Sequence, residues 1–133
     1  VAVIDDDESL CRSLGRLLRT AGYRVLTYTS AEAFLEDAKR PSFDCLVLDV
    51  QLGAISGLDL SRRLASVRDP TPVIFITAHS NPKIREEAEA VGCAGFFRKT
   101  DPGDKVIEAI DQAIEHSGEK APAADRRSPN RAT

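Results

Sequence analysis

No apolar run in this chain comes near the roughly 20 residues that a helix needs to cross a bilayer, so a membrane-spanning helix is not expected and a cytoplasmic location is. Positive charge is not in excess either: 18 lysines and arginines stand against 21 aspartates and glutamates, a formal net charge of -3. Such a domain lacks the broad positive field on which non-specific nucleic-acid binding depends, so direct binding of nucleic acid by it is not expected. Cysteine is sparse. Cys11, Cys45 and Cys93 are widely spaced, form no CxxC pair, and have no cluster of histidines beside them, since only His79 and His116 occur. That pattern disfavours both a disulfide framework and a zinc site, and reduced thiols are the simplest reading. The phosphate-cradling loops GxGxxG and GxxxxGK(S/T) are both missing after the first apolar run, which leaves little room for a nucleotide-binding fold.

What is present is enough for one domain. A chain of 133 residues, 42% hydrophobic and 29% charged, can bury one substantial core but hardly two. It opens at Val1, almost inside a strand, which suggests a missing or processed leader.

Five apolar runs, each followed by an amphipathic stretch, organise the sequence. Residues 1–5 (VAVID) suit a central strand, with Leu10, Leu14, Leu17, Leu18 and Ala21 at helical spacing after it and Gly22 closing the helix. Residues 23–28 (YRVLTY) alternate as a strand, and Thr29 with Glu32 forms a capping-box pattern ahead of a helix that should stop before Pro41. Residues 44–50 (DCLVLDV) read as a strand buried on both faces, followed by a loop with Gly53 and Gly57 and a helix marked by Leu58, Leu60, Leu64 and Val67. Residues 71–78 (TPVIFITA) supply the fourth strand, with Asn81 and Pro82 as cap and first turn of the next helix. Residues 94–99 (AGFFRK) are the last strand, before a helix capped by Asp101, with Pro102 at its first position, that ends near Ser117. Residues 118–133 have no apolar periodicity and read as a flexible tail or the start of an interdomain linker.

Repeats of this kind predict an α/β fold, a doubly wound parallel sheet with helices on both faces and its chemistry at the carboxyl ends of the strands. Those ends carry Asp5 and Asp6, Asp49, Thr77 and Lys99. Carboxylates gathered at one place repel, a cost hard to explain unless a cation is there, and hard oxygen ligands suit Mg2+. Lys99 would contact the oxygens of a phosphoryl group, Thr77 would offer a hydroxyl, and Asp49 is left as nucleophile, a set suited to forming an aspartyl phosphate. Each residue has a plainer reading alone. The run Asp5 to Glu8 could be an acidic helix start, Thr77 a strand residue and Lys99 an edge charge, but the coincidence of four strand ends argues against the plain reading for the set.

The motifs VIDD (residues 3–6), LVLDVQLGAISG (46–57), VIFITA (73–78) and GFFRK (95–99) resemble, in this order and spacing, the receiver domain of two-component response regulators. The resemblance covers residues 1–117. It implies a (βα)5 flavodoxin-like sheet of order 2-1-3-4-5, with Asp49 as phosphoacceptor. Asp5, Asp6, Asp49 and the backbone carbonyl of Gln51 are implied as Mg2+ ligands, Asp6 more directly than Asp5. Thr77 and Phe96 are implied as switch residues and Lys99 as the phosphate-contacting amine, while Gln51 and His79 border the site and tune dephosphorylation. The implied donor is a sensor histidine kinase or histidine phosphotransfer protein. The implied output is a surface of helix four, strand five and helix five that forms a phosphorylation-dependent homodimer or acts on a further domain. The wording of VIFITAH and TYTSAEAFL resembles receivers that carry a C-terminal helix-turn-helix DNA-binding domain, outside this chain.

Two positions depart from the family pattern, Gly53 and Thr100, where prolines are common. Gly53 is expected to loosen the loop after strand three. A cis Lys99–Thr100 bond would cost roughly 2.5 to 4 kcal/mol, so trans is expected. The same departures keep an alternative open, a degenerate receiver that acts as a phosphorylation-independent interaction module.

Overall fold

All five apolar runs become strands and each stretch between them a helix. The structure, a computed structural model, describes residues 1–79 and 81–120. In chain order the elements are β1 (Ala2–Ile4), α1 (Glu8–Thr20), β2 (Leu26–Tyr28), α2 (Ala31–Glu36), β3 (Leu46–Asp49), α3 (Gly57–Ser66), β4 (Val73–Thr77), α4 (Pro82–Ala90), β5 (Gly95–Arg98) and α5 (Gly103–Lys120). The strands form one parallel sheet in the order β2-β1-β3-β4-β5, the expected topology. Among the described residues no helix is long and apolar enough to cross a membrane.

Strand alternation divides the core into two. Ala2, Ile4, Leu46, Leu48, Val73 and Phe75 point to one face, where they pack with Phe34 of α2, Leu58, Leu60 and Leu64 of α3, and Ala88 of α4. Val1, Val3, Val47, Ile74 and Ile76 point to the other, against Cys11, Leu14 and Leu18 of α1 and Val106, Ile110 and Ile114 of α5. Both faces of β1, β3 and β4 are therefore covered, and their short apolar runs are buried throughout.

Local chemistry sets the helix ends. Asp7 caps α1, its carboxylate accepting from the Leu10 N–H at 3.2 Å. At the other end Gly22 adopts φ +100°, and the Gly22 and Tyr23 N–H groups donate to the carbonyls of Arg19 and Leu18. Only a residue without a β-carbon takes that left-handed turn freely. The expected Asn81–Pro82 start of α4 is present, with Asn81 Oδ1 accepting from Ile84 N–H at 2.9 Å.

Two expected caps are corrected. Ser30, not Thr29, caps α2: its hydroxyl accepts from Ala33 N–H at 2.9 Å, and the third helical residue is then Ala33, which has no side chain to complete a capping box. Asp101 does not cap α5, which starts at Gly103. Its carboxylate accepts instead from Arg98 N–H at 2.8 Å, closing a turn after β5. α5 runs to Lys120, past the expected end at Ser117, so residues 118–120 of the expected tail are helical instead, and its remainder, 121–133, lies outside the described residues. Among the described residues no peptide bond is cis, so Lys99–Thr100 is trans as expected.

Candidate functional site

The order of the strands reverses at β1 and β3, and this opens a crevice at their carboxyl ends. Ile4 pairs with Leu48, so the residues that follow, Asp5 and Asp49, flank the crevice on adjacent strands. The Asp5 N–H is tied to the Tyr28 carbonyl at 3.0 Å, and β3 ends on Asp49 itself. Asp5 and Asp49 are buried, whereas Asp6, one residue further along, is exposed. One oxygen from each of Asp5, Asp6 and Asp49 lies within 4.8 Å of the others.

Lys99 enters from the far side of the sheet. Its backbone N–H donates to the Thr77 carbonyl at 2.8 Å, which continues the β4–β5 pairing by one residue and aims the side chain across the crevice. Nζ stands 3.0 Å from Asp5 Oδ2, 3.1 Å from Asp5 Oδ1 and 3.2 Å from Asp49 Oδ2. One ammonium thus answers a cluster of carboxylates. Burial pushes the Asp5 carboxyl up to about 6, against the pull of the Asp7 backbone N–H and of Lys99, and the neighbouring Asp49 adds to the rise. Burial alone would lower the Lys99 ammonium, but the Asp5 hydrogen bond and the charges of Asp49 and Asp5 outweigh it and hold the group above its ordinary value.

Asp5 Oδ2 is buried and lacks an aligned hydrogen bond despite its nearness to Lys99. A buried carboxylate oxygen left in that condition, in an all-oxygen donor set with one member at the surface, fits a hard divalent cation that keeps part of its water shell.

The remaining expected residues take definite places. Gln51 is exposed and its N–H donates to Asp49 Oδ1 at 3.0 Å, so it orients the carboxylate through its backbone. Thr77 is buried at the end of β4, and its hydroxyl is turned into its own loop, donating to the His79 carbonyl at 2.9 Å and accepting from His79 N–H at 3.2 Å. Among the described residues, its hydroxyl makes no hydrogen bond to Asp49. The His79 side chain is exposed, and its part in these bonds is played by its backbone. Phe96 is half-buried on β5, with the Arg85 guanidinium of α4 5.6 Å from its ring centre.

Two supports were not foreseen. The Asp7 N–H donates to Asp5 Oδ1 at 2.8 Å, so the residue that caps α1 also fixes Asp5. The Cys11 thiol, read simply as a reduced cysteine, donates to the Asp5 carbonyl at 3.3 Å from beneath. The position of Asp7 just before an amphipathic helix was the available signal for the first; the second depends on a buried rotamer and had none.

The chain matches the family profile of the response regulator receiver domain over residues 1–111. It is 35% identical over 114 residues to the response regulator protein TmoT of Ectopseudomonas mendocina, covering 86% of this chain and 52% of that protein. It is 33% identical over 114 residues to the transcriptional regulatory protein FixJ of Bradyrhizobium diazoefficiens, covering 86% of this chain and 56% of that protein. The chain thus spans about half the length of these relatives. Among solved structures, FixJ-N superposes with a TM-score of 0.78 at 35% identity, over 86% of this chain and 92% of that one. A CheY-like receiver domain protein from Methanospirillum hungatei superposes with a TM-score of 0.83 at 18% identity, over 90% and 96% of the two chains, and supports the fold alone. With the sheet order, the strand-end acids and these matches in agreement, the chain belongs to the response regulator receiver domain family and serves two-component signalling.

Proposed function

We propose that Asp49 is the phosphoacceptor of this receiver domain, charged by a histidine kinase or histidine phosphotransfer protein. The observation that carries this reading is the meeting of Asp5, Asp6 and Asp49 with Lys99 at one crevice. An Asp49 carboxylate oxygen attacks phosphorus in line, the bond from phosphorus to the donor imidazole nitrogen breaks, and its electron pair leaves with the imidazole. Asp5, Asp6, Asp49 and the carbonyl of Gln51 would hold Mg2+, which when bound supplies positive charge to the phosphoryl oxygens. Lys99 turns from its carboxylate partners toward those oxygens.

Thr77 is the coupling residue. To reach a phosphoryl oxygen its hydroxyl must leave His79, and the loop ahead of α4 is released from it. Phe96, under Arg85, lies on the route from that loop to the α4–β5–α5 surface. The output is a homodimer formed through that surface, or action on a C-terminal DNA-binding domain. The latter is supported by the transcriptional regulatory protein FixJ, of which this chain covers about half. A cytoplasmic location goes with this reading. His79 covers the phosphoryl site and, with Gln51, tunes dephosphorylation. The phosphorylation-independent alternative is disfavoured because the acids and the lysine are not only present but in contact.

Incubation with Mg2+ and acetyl phosphate, followed by intact-mass measurement, tests the reading. Wild type should gain one phosphoryl group and Asp49→Asn none. No gain by folded wild type, from either acetyl phosphate or a phosphorylated kinase, would return the interaction-only alternative.

A further inference from the structure

We propose that Gly57 is a positioning residue for phosphoryl transfer: its missing side chain is the clearance that lets α3 close against the Asp49 backbone and fix the direction of the carboxylate. The inference rests on Asp49 being the phosphoacceptor. A β-carbon at Gly57 would lie 2.0 Å from the Asp49 carbonyl oxygen, 2.9 Å from the Asp49 carbonyl carbon and 3.2 Å from Val50 Cα. All three are backbone atoms, which cannot swing aside as the end of a long side chain can. The Gly57 backbone is not in the left-handed region, so the objection to a side chain there is one of space.

The approach is held from several directions. The Gly57 N–H donates to the Val50 carbonyl at 3.0 Å, and the Val50 N–H donates to Ile76 at 3.1 Å, so α3 is latched to the segment leaving β3 and that segment to β4. Leu52 and Leu58 are buried on either side of the loop, and the Ser56 hydroxyl caps α3 by accepting from Asp59 N–H at 3.0 Å. A β-carbon therefore has two outlets. It can push the first turn of α3 outward, or it can rotate the peptide unit of Asp49 and Val50. The second outlet disturbs the same short segment whose Gln51 N–H holds Asp49 Oδ1 at 3.0 Å and whose Asp49 Oδ2 meets Lys99 at 3.2 Å. Gly53 supplies an internal control, since a β-carbon there meets nothing within 4 Å.

The test compares wild type, Gly57→Ala, Gly53→Ala and Ser56→Ala in the full chain. Circular dichroism and thermal melts monitor folding, acetyl phosphate with Mg2+ gives the phosphorylation rate at saturation and the half-saturating donor concentration, and calorimetry gives Mg2+ affinity. A displacement near 1 Å at the reacting atom costs on the order of 100-fold. Gly57→Ala is expected to stay folded, to lose about that much rate at saturation with little change in half-saturation, and to bind Mg2+ more weakly. Gly53→Ala should keep its rate, and Ser56→Ala should melt lower without slowing, because losing a cap loosens the helix without intruding on Asp49. A folded Gly57→Ala within about twofold of wild type in rate overturns the proposal. So does a Ser56→Ala that slows as much, which would assign the effect to helix stability, and so does a Gly57→Ala that cannot fold, which would assign the glycine to folding. A wild type that takes no phosphoryl group sinks the phosphoacceptor reading and this inference with it; a reactive wild type beside an equally reactive Gly57→Ala sinks this inference alone.

Discussion

At Asp5 burial and charge pull in opposite directions. Its carboxyl titrates near 6 in the folded chain against an ordinary 3.8, so the folded state holds this proton more tightly than the unfolded state does. Stability from this group is therefore complete below the ordinary value and falls as pH rises through the folded one, provided no divalent ion compensates. With a chelator present, Asp5→Asn should melt at a higher temperature than wild type at neutral pH. The advantage should shrink below pH 6 and vanish toward 3.8. Asparagine keeps the oxygen that accepts from Asp7, and Lys99 keeps Asp49, so little else is lost. Equal melting of the two proteins at neutral pH would mean that the Asp5 charge is already compensated. The run VIDDDE made the acids legible, and its ambiguity was real: Asp5 belongs to the crevice, Asp6 stands at its mouth, and Asp7 is a helix cap. The rotamer of Thr77 was not legible, because strand position places a side chain at the tip but does not choose between its own loop and the neighbouring strand.

Helix ends and edges hold the next set of consequences. α1 and α4 both finish on a glycine in the left-handed region, Gly22 and Gly92, whereas α3 finishes on Arg68 at φ 58°. The Arg68 and Asp69 N–H groups donate to Ala65 and Leu64, the same closing pattern as at Gly22. A side chain in that conformation costs about 1 kcal/mol relative to glycine, so Arg68→Gly should raise the unfolding free energy by about that amount in a urea titration. An unchanged midpoint would show that the turn is not strained. α4 buries only Ala88 and β5 is half-buried, and the Thr77–His79 bonds tie the loop between β4 and α4. Elements with few buried contacts open most easily. Phosphorylation should therefore change amide exchange in α4, and Thr77→Ala should still accept phosphate while losing that change. A full α4 response in Thr77→Ala would remove the hydroxyl from the coupling. The cap of α4 was readable from Asn81 and Pro82. The cap of α2 was misplaced by one residue, because Thr29 and Ser30 are adjacent hydroxyl residues and only backbone geometry distinguishes them.

For the molecule as a whole, the fold followed from strand-helix alternation because each apolar run is short and β-rich and each intervening segment has one apolar face. The order of the strands is a different matter: repeats predict a parallel sheet, but the reversal between β1 and β3 came from the family resemblance. That reversal makes a site out of residues nearly a hundred positions apart, Asp5 and Lys99. A ligand that binds only the folded crevice stabilises the whole domain, by about 2.7 kcal/mol at a hundred times its dissociation constant. Mg2+ should accordingly raise the melting temperature of wild type and do much less for Asp5→Asn or Asp49→Asn; equal gains in all three would place the ion elsewhere. The central claim is that one carboxylate of this cluster, and no other, becomes covalently phosphorylated. Borohydride reduces an aspartyl phosphate to homoserine, so peptide mapping of the phosphorylated and reduced protein locates it directly. Conversion confined to Asp49 is the predicted result, and conversion at Asp5, Asp6 or any other aspartate with Asp49 intact would contradict the account.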